Sequence, residues 1–293
     1  MQSQMTSNNF VLILGTAQDG GYPHIGCYKQ CCMEAKENPI LRRMVASIAI
    51  IDRAKSKVWL IDVSPDINNQ LDIVNANVSH FSFPYLSGIF LTHAHTGHYS
   101  GLLHLGLEGL NIKNVPIYVM PKMKDFLIKN SMFSQLVDNS IILKEIKNNL
   151  TINLNDEISI IAFNVPHRNE LSETVGYKIK SCEKSIVYIP DIDYWDKGGV
   201  DLSQLVKQND ILLLDGTFYS KDEITHRNIN KIPHPSILDT ISLTKALSRQ
   251  EKKKIFFTHL NHTNKAINDK SEKWKSVFSS GYNILNDKQI FNL

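Results

Sequence analysis

Several short apolar segments of this chain are each followed directly by a histidine or an aspartate. Four such segments lead, in chain order, into His93, His167, Asp191 and His259. A strand followed by a ligand, repeated along the chain, gathers ligands at one edge of a sheet. Each position taken alone is also compatible with a capped or hydrogen-bonded residue. Together they predict a fold in which distant strand ends lie side by side around a common site.

The first of these strand ends carries three histidines within six residues, namely His93, His95 and His98. Neutral imidazole is the commonest protein ligand for zinc and similar ions. His93 and His95 are two residues apart, so an extended backbone directs both side chains the same way. His98 falls where a helix is expected to begin and can reach a neighbouring point. A solvated histidine-rich loop is the alternative to a metal site.

The net charge of the chain bears on which classes of molecule it can be expected to bind. The chain has 293 residues, of which 32 are basic and 29 acidic, for a net charge of +3. This excess is too small to indicate a nucleic-acid or membrane partner, so a small-molecule substrate is expected. No N-terminal signal and no apolar stretch of membrane-spanning length is recognisable, and we expect a cytoplasmic protein. A homodimer is left open.

Strand and helix patterns alternate along the chain. Strands are expected over residues 10–16, 47–52, 58–62, 89–91, 115–119, 158–165, 175–180, 185–189, 211–214 and 255–258. Helices are expected over 66–76, 121–130 and 236–247. The alternation predicts an α/β architecture with two sheets face to face, helices outside, and a single domain over residues 1–293.

The four cysteines are unevenly placed. Cys27, Cys31 and Cys32 crowd together after the glycine-rich run 15–21, which has neither dinucleotide nor P-loop spacing and is interpreted as a turn. Adjacent cysteines in a cytosolic protein favour metal ligation over disulfides, with free loop thiols as the alternative. Cys182 stands alone near a strand and is predicted to be a small buried hydrophobe.

The order of these segments resembles the metallo-β-lactamase superfamily. That family carries an aspartate at a strand end, then His-x-His-x-Asp-His, then His, Asp and His on later strands. The corresponding residues here are Asp62, His93, His95, His98, His167, Asp191 and His259. The resemblance covers nearly the whole chain and implies a four-layer αβ/βα metallo-β-lactamase sandwich with a shallow site at one edge.

The same resemblance implies an active site with one or two ions of Zn²⁺, Mn²⁺ or Fe²⁺. The first ion would be held by His93, His95 and His167. Asp191 would bridge the two ions, and His98 with His259 would hold the second ion. The resemblance fails at Gly97, where the family has the second-metal aspartate, so a single tightly held ion is the alternative to a pair.

A narrower likeness lies in residues 15–23, 214–218 and 259–264, which resemble the pyrroloquinoline-quinone biosynthesis protein B group. The related phosphonate-pathway cyclic phosphodiesterases share the cysteine cluster and hold a structural zinc there. By that likeness Cys27, Cys32 and His262 are zinc ligands. The family's middle cysteine falls at Lys29, a cation, so Cys31 is the expected replacement. His24 competes as the fourth ligand.

Two further residues are candidates for catalysis. The related tRNA 3′-processing nucleases carry His-Glu-Ala-Thr where this chain has Leu214 and Asp215, which weakens a nuclease interpretation. Asp215 is expected either to orient a metal-bound histidine or to be a buried, hydrogen-bonded carboxylate. His234 lies between two prolines that stiffen its loop, and is either a general acid or a structural loop histidine.

Three functions follow from these residues and likenesses. The first is a metal-dependent hydrolase that uses metal-activated water on a small phosphodiester or ester-like substrate. The second is an iron-dependent oxygenase, as the protein B group implies, although that group tends to depart from the His93 and His95 pair. The third is a metal-binding protein without catalysis, which the glycine at position 97 keeps open.

Overall fold

The computed structural model describes residues 8–78, 86–195, 199–223 and 233–293. Its strands are β1 (Asn9–Gly15), β2 (Ser47–Asp52), β3 (Lys57–Ile61), β4 (Leu86–Phe90), β5 (Val115–Val119), β6 (Ile141–Glu145), β7 (Thr151–Asn153), β8 (Ser159–Asn164), β9 (Val175–Lys180), β10 (Ser185–Ile189), β11 (Ile211–Asp215), β12 (Ile255–Thr258), β13 (Asn283–Ile284) and β14 (Ile290–Asn292).

The α-helices are α1 (Gln30–Glu37), α2 (Ile67–Asn77), α3 (Thr96–Tyr99), α4 (Pro121–Lys129), α5 (Ser134–Asn139), α6 (Leu202–Gln208), α7 (Ile237–Leu243), α8 (Arg249–Lys252) and α9 (Glu272–Ser279). Short 3-10 helices lie at Pro39–Leu41, Ser100–Leu105, Ser131–Phe133 and Lys221–Glu223. Among the described residues, no helix combines the length and the apolar character needed to cross a membrane.

Within these ranges the strands form two seven-stranded mixed sheets. The first has the order β14-β1-β2-β3-β4-β5-β6, and the second has the order β13-β12-β11-β10-β9-β8-β7. The strands β3 to β6 are parallel to one another, and so are β10 to β13. The remaining neighbours, at the two hairpin-rich parts of the sheets, are antiparallel.

Strand β1 shows how the layers are built, because it is buried along its whole length. Leu12 and Leu14 pack in a cluster with residues of α2 and α4, whereas Val11 and Ile13 pack with residues of the second sheet such as Tyr188. A third cluster joins the other face of the second sheet to α6, α7 and α9. Strands covered on both faces are apolar throughout rather than alternating. The resulting helix, sheet, sheet, helix layers confirm the predicted α/β sandwich.

Strand direction decides where the polar strand ends meet. Two antiparallel steps separate β1 from β3 and also β8 from β10, so each pair runs the same way. The carboxyl ends of β1, β3 and β4 therefore share one edge of the first sheet. The carboxyl ends of β8, β10, β11 and β12 share one edge of the second sheet. The loops that leave these ends carry the candidate ligands.

Two expectations from the sequence are wrong. The helix predicted over 236–247 ends at Leu243, and a separate helix begins after Ser248, whose hydroxyl caps it. Cys182 is exposed rather than buried, because it lies in the turn between β9 and β10. Ile232, at the start of the predicted histidine loop, lies outside the described residues. The single domain over 1–293 stays a prediction.

Candidate metal centres

The loop after β4 holds the three histidines of the motif between the two sheets. The Tyr177 hydroxyl, on β9, donates a hydrogen bond to the Leu91 carbonyl oxygen at 2.7 Å. The Ala94 backbone N–H donates to Ser172 Oγ at 2.8 Å. These buried contacts fix the loop of the first sheet to the second sheet, so the histidines have defined positions before any ion binds.

His93, His95 and His167 form the first group of donors. His93 Nε2 lies 2.9 Å from His95 Nδ1, and His167 Nε2 lies 3.3 Å from the same atom. A tetrahedral zinc with nitrogen ligands at about 2.0–2.1 Å places neighbouring nitrogens about 3.3 Å apart. The three nitrogens thus have the spacing of ligands around one small ion.

Asp191, His98 and His259 form a second group beside the first. Asp191 Oδ2 lies 3.0 Å from His98 Nε2 and 3.3 Å from His259 Nε2. Asp191 Oδ1 lies 3.7 Å from His167 Nε2, in the first group. The two oxygens of one carboxylate therefore face the two groups, which is the arrangement expected of a bridging ligand.

Asp19, in the loop after β1, is a member of the second group that sequence reasoning missed. Its Oδ1 atom lies 3.5 Å from His98 Nε2 and 3.5 Å from His259 Nε2. The signal was present, since Asp19 follows an apolar strand in the same way as the predicted ligands do. The surrounding glycines led to its interpretation as part of a turn.

Four buried polar atoms of the second group point to a cation. Among the described residues, they have no hydrogen-bond partner: Asp19 Oδ1, His98 Nε2, Asp191 Oδ2 and His259 Nε2. A buried donor or acceptor without a partner costs roughly 1–3 kcal/mol, so such atoms are rare in clusters. A divalent cation between two imidazoles and two carboxylates would satisfy all four, and these residues fit one.

The second ring nitrogen of four ligand candidates is held by a hydroxyl or carboxylate. The pairs are His93 with Thr92 at 2.9 Å, His98 with Asp62 at 2.8 Å, His167 with Asp193 at 2.8 Å, and His259 with Thr217 at 2.9 Å. Such partners fix the tautomer and orientation of metal-ligating histidines. Asp62, the first element of the family motif, contacts Nδ1 of His98, whereas Nε2 of the same ring lies beside Asp191.

The protonation of the histidines differs between the groups. Burial lowers the pKa of His93, and burial together with the nearby His167 ring lowers the pKa of His95 to about 4. Burial also opposes the charged form of His98, but the Asp62 and Asp191 carboxylates outweigh it and hold its pKa well above the usual value. His93 and His95 are therefore neutral and ready to ligate, whereas His98 is charged beside carboxylates whose charge a metal cation would neutralise in its place.

His234 and Asp215 form a pair at the border of the first group. His234 Nδ1 lies 2.7 Å from Asp215 Oδ2 and 3.9 Å from Asp191 Oδ1. Asp215 also accepts hydrogen bonds from the N–H groups of Ile192 and Thr217. Burial lowers the pKa of His234, but the Asp215 carboxylate outweighs burial and raises it to about 9. Asp215 is thus a buried, hydrogen-bonded carboxylate that orients His234.

The cysteine cluster forms a separate group of four donors. Cys27, Cys31, Cys32 and His262 offer ligand atoms that all lie within 4.8 Å of one another. Cys32 Sγ is 3.4 Å and Cys31 Sγ 3.8 Å from His262 Nδ1. A tetrahedral zinc separates a sulfur and a nitrogen ligand by about 3.6 Å. Three thiols and one imidazole thus have the composition and spacing of a closed zinc site.

His24 lies beside this cluster. Its ring centroid is 4.4 Å from that of His262, and its Nδ1 lies 2.8 Å from the Ile25 carbonyl oxygen. It is not one of the four donors that come together. Burial raises the pKa of the Cys32 thiol to about 12, so an ion would have to displace its proton in order to bind.

This chain is similar to known proteins in sequence and in fold. Residues 58–260 match the model of the beta-lactamase superfamily domain. Coenzyme PQQ synthesis protein B of Methylorubrum extorquens is 25% identical, over 97% of this chain and 99% of the relative.

Solved structures share the fold. The structure of Zn²⁺-bound PqqB from Methylobacterium extorquens aligns with a TM-score of 0.81 at 22% identity, covering 97% of this chain and 100% of that one. A diphosphatase of the PhnP family aligns with a TM-score of 0.67 at 21% identity, covering 97% and 96%. By its family match and its fold, this protein belongs to the metallo-β-lactamase superfamily.

Proposed function

We propose that this protein is a metal-dependent hydrolase that uses metal-activated water on a small phosphodiester or ester-like substrate. The observation that carries the proposal is the bridging position of Asp191 between two sets of imidazoles, one at His167 and one at His98 and His259. In such a centre a bound divalent ion polarises the scissile group and lowers the pKa of its water to about 7.

The side chains of the two histidine-containing donor groups differ in their exposure to solvent. His93, His98, His259 and Asp191 are buried, whereas His95 and Asp19 are partly exposed. Substrate therefore approaches from the side of His95 and Asp19. The buried members hold the ions, and their partners Thr92, Asp62 and Thr217 keep them in place.

His234 is the proposed general acid. Its Nδ1 proton is held by Asp215 at 2.7 Å, which leaves Nε2 as the nitrogen that exchanges a proton with a leaving group. Its side chain is 7% exposed and lies against Asp191. When a phosphodiester is hydrolysed, its leaving group departs as an alkoxide unless its oxygen is protonated, so a proton held at this point assists bond cleavage.

An iron-dependent oxygenase is the second candidate. Two observations favour it: relatives are named coenzyme PQQ synthesis protein B, and His98 and His259 with one carboxylate make a two-histidine, one-carboxylate set. That set suits non-haem ferrous iron with open positions for oxygen. The neighbouring three-histidine group is the feature that favours hydrolysis.

A single set of assays separates these candidates. Protein loaded with zinc or manganese is given bis(4-nitrophenyl) phosphate and a panel of lactones, and protein loaded with ferrous iron is given a tyrosine-derived substrate in an oxygen electrode. Metal-dependent hydrolysis that His95→Ala abolishes supports the hydrolase. Substrate-coupled oxygen uptake without hydrolysis supports the oxygenase. Bound metal with neither activity rejects both and leaves a metal-binding protein without catalysis.

A further inference from the structure

The space beside Gly97 is filled by another residue. A Cβ atom at position 97 would lie 2.3 Å from Asp19 Oδ1 and 2.8 Å from Asp19 Cα. Both distances are far below a van der Waals contact, and the second involves backbone that cannot rotate away. Gly97 lies within α3, and its φ is not in the left-handed region. Glycine is therefore required here for volume and not for backbone conformation.

The Asp19 carboxylate reaches the place that a side chain from position 97 would serve. Gly97 is the residue directly before His98, and Asp19 Oδ1 lies 3.5 Å from the Nε2 atoms of both His98 and His259. The Asp19 oxygen is buried and, within the described part of the chain, makes no hydrogen bond. An unpartnered carboxylate oxygen between two unpartnered imidazole nitrogens is placed for a shared cation.

The segment that carries Asp19 is fixed to the segment that carries His259. The Gln18 N–H donates to the Leu260 carbonyl oxygen at 2.9 Å, and the Leu260 N–H donates to the Thr16 carbonyl oxygen at 2.8 Å. Because these bonds flank both residues, the carboxylate and the imidazole have a fixed relative position. A ligand pair held in this way needs little reorganisation to bind an ion.

We propose that Asp19 supplies the carboxylate ligand of the second metal position, and that Gly97 is the complementary space which lets it do so. The carboxylate that the superfamily motif places one residue before its last histidine thus comes from a different segment, the loop after β1. The inference rests on the two-ion centre of the proposed hydrolase, but it concerns metal binding and is measured without substrate.

If Asp19 replaces the motif carboxylate of position 97, substitutions at positions 19 and 97 should have linked effects on binding of the second ion. Asp19→Asn removes the anionic ligand, so affinity for the second ion should fall by at least about 100-fold, beyond the 10–100-fold typical of losing an outer partner. Gly97→Asp alone should also weaken the second position, since two side chains then compete for one volume. The double variant Asp19→Gly with Gly97→Asp moves the carboxylate to the motif position and removes the clash with the Asp19 side chain, but it keeps the 2.8 Å approach to the residue 19 backbone. Its second-ion affinity should therefore exceed that of Gly97→Asp and stay below that of the unaltered protein.

Manganese is the probe, because hard oxygen and imidazole ligands accept it whereas thiolates select zinc, so the cysteine cluster does not interfere. Titration calorimetry gives the number of Mn²⁺ ions per chain, and electron paramagnetic resonance shows whether two ions are magnetically coupled. The exposed Asp72→Asn on α2 is the matched control for loss of a carboxylate, and thermal melting shows that each variant is folded.

The expected result is two coupled Mn²⁺ ions in the unaltered protein, one in each single variant, and a second-ion affinity in the double variant above that of Gly97→Asp. Unchanged second-ion affinity in Asp19→Asn overturns the proposal. So does a folded double variant that binds no better than Gly97→Asp. A single uncoupled Mn²⁺ ion in the unaltered protein also overturns it, while hydrolysis by a one-ion centre would remain possible. Absence of hydrolysis with two coupled ions would instead reject the proposed function and leave the ligand assignment intact.

Discussion

The histidine centre and the cysteine cluster draw their donors from different kinds of segment. The histidine centre comprises the two neighbouring donor groups, namely His93, His95 and His167 with Asp19, His98, Asp191 and His259. The cysteine cluster takes its donors from two short stretches, residues 27–32 and His262, and they supply four donors, the number that a tetrahedral zinc needs. The histidine centre takes its donors from the ends of strands in both sheets, and some of these donors are partly exposed. Closed sets stabilise a fold and open sets leave room for substrate. By composition the cysteine cluster is therefore the candidate structural site and the histidine centre the candidate catalytic site, and exposure does not separate them because both have partly exposed members.

The two regions are nevertheless joined. His259 and His262 lie in the segment that follows β12, and Asp19 precedes the cysteines in the loop after β1. Ala17 forms a bridge with Leu260, so the two segments are paired directly. A substitution in one region can therefore alter metal binding in the other, so the metal content of both regions has to be measured for each variant.

The largest expected effect comes from His95→Ala. His95 Nδ1 lies within 3.3 Å of both other nitrogens of its group, so its loss leaves two ligands for that ion. We expect the ion to be lost and turnover to fall to background, with the zinc of the cysteine cluster retained. Elemental analysis and diester hydrolysis measure the two effects.

His104→Ala, an exposed histidine close in sequence, is the control and should keep full activity. Retained turnover in His95→Ala would remove the first ion from the mechanism.

His234→Gln should give the next largest effect. Turnover is expected to fall by about 10²–10⁴, the range for losing a general acid, while the metal content stays unchanged. Asp215→Asn should follow in the same direction, because Asp215 holds the His234 ring. A structural loop histidine would lower thermal stability without altering the pH profile of turnover. Comparison of that profile between the variant and the parent therefore decides the role.

Asp193→Asn should have an intermediate effect on the first group. Asp193 Oδ1 lies 2.8 Å from His167 Nδ1 and orients the ring. We expect metal affinity at this group to fall by about 10–100-fold, with activity recovered by added metal. Asp125→Asn, in an exposed pair with Lys129, is the matched control. An unchanged dissociation constant would show that the backbone alone positions His167.

Cys32→Ser should alter turnover least and stability most clearly. Loss of one zinc removes its linkage to folding, about 4 kcal/mol when free zinc is 1,000 times its dissociation constant. The ions of the histidine centre should remain. Cys182→Ser is the control, since that thiol is exposed and far from the cluster in sequence. Loss of histidine-centre ions in Cys32→Ser would show that the cluster holds the Asp19 loop in place.

The strand-end pattern predicted the two-sheet fold and the meeting of its polar strand ends because both depend on local sequence. A buried strand is apolar throughout and a polar residue follows its carboxyl end, so the sequence could predict that His93, His167, Asp191 and His259 lie near one another. The same rule applied to β1 would have found Asp19. The glycines around it favoured a turn, and a turn can also present a ligand.

The parts that could not be predicted depend on contacts between distant segments. Gly97 indicated a missing ligand, and only the fold shows that Asp19 fills the space. Asp215 was expected either to orient a metal-bound histidine or to be a buried, hydrogen-bonded carboxylate, and only the fold shows that it pairs with His234. Neither pairing leaves a period or a spacing in the sequence, because each arises where two loops meet.

The turn between β9 and β10 gives the molecule a chemical handle. This turn leads into the amino end of β10, whereas the ligands lie beyond the carboxyl ends of the strands, so Cys182 is at the edge of the sheet remote from them. Exposed thiols react with maleimides, and thiols that coordinate zinc are shielded from them. A fluorophore or a surface tether attached at Cys182 would thus leave the mouth of the histidine centre open to solvent.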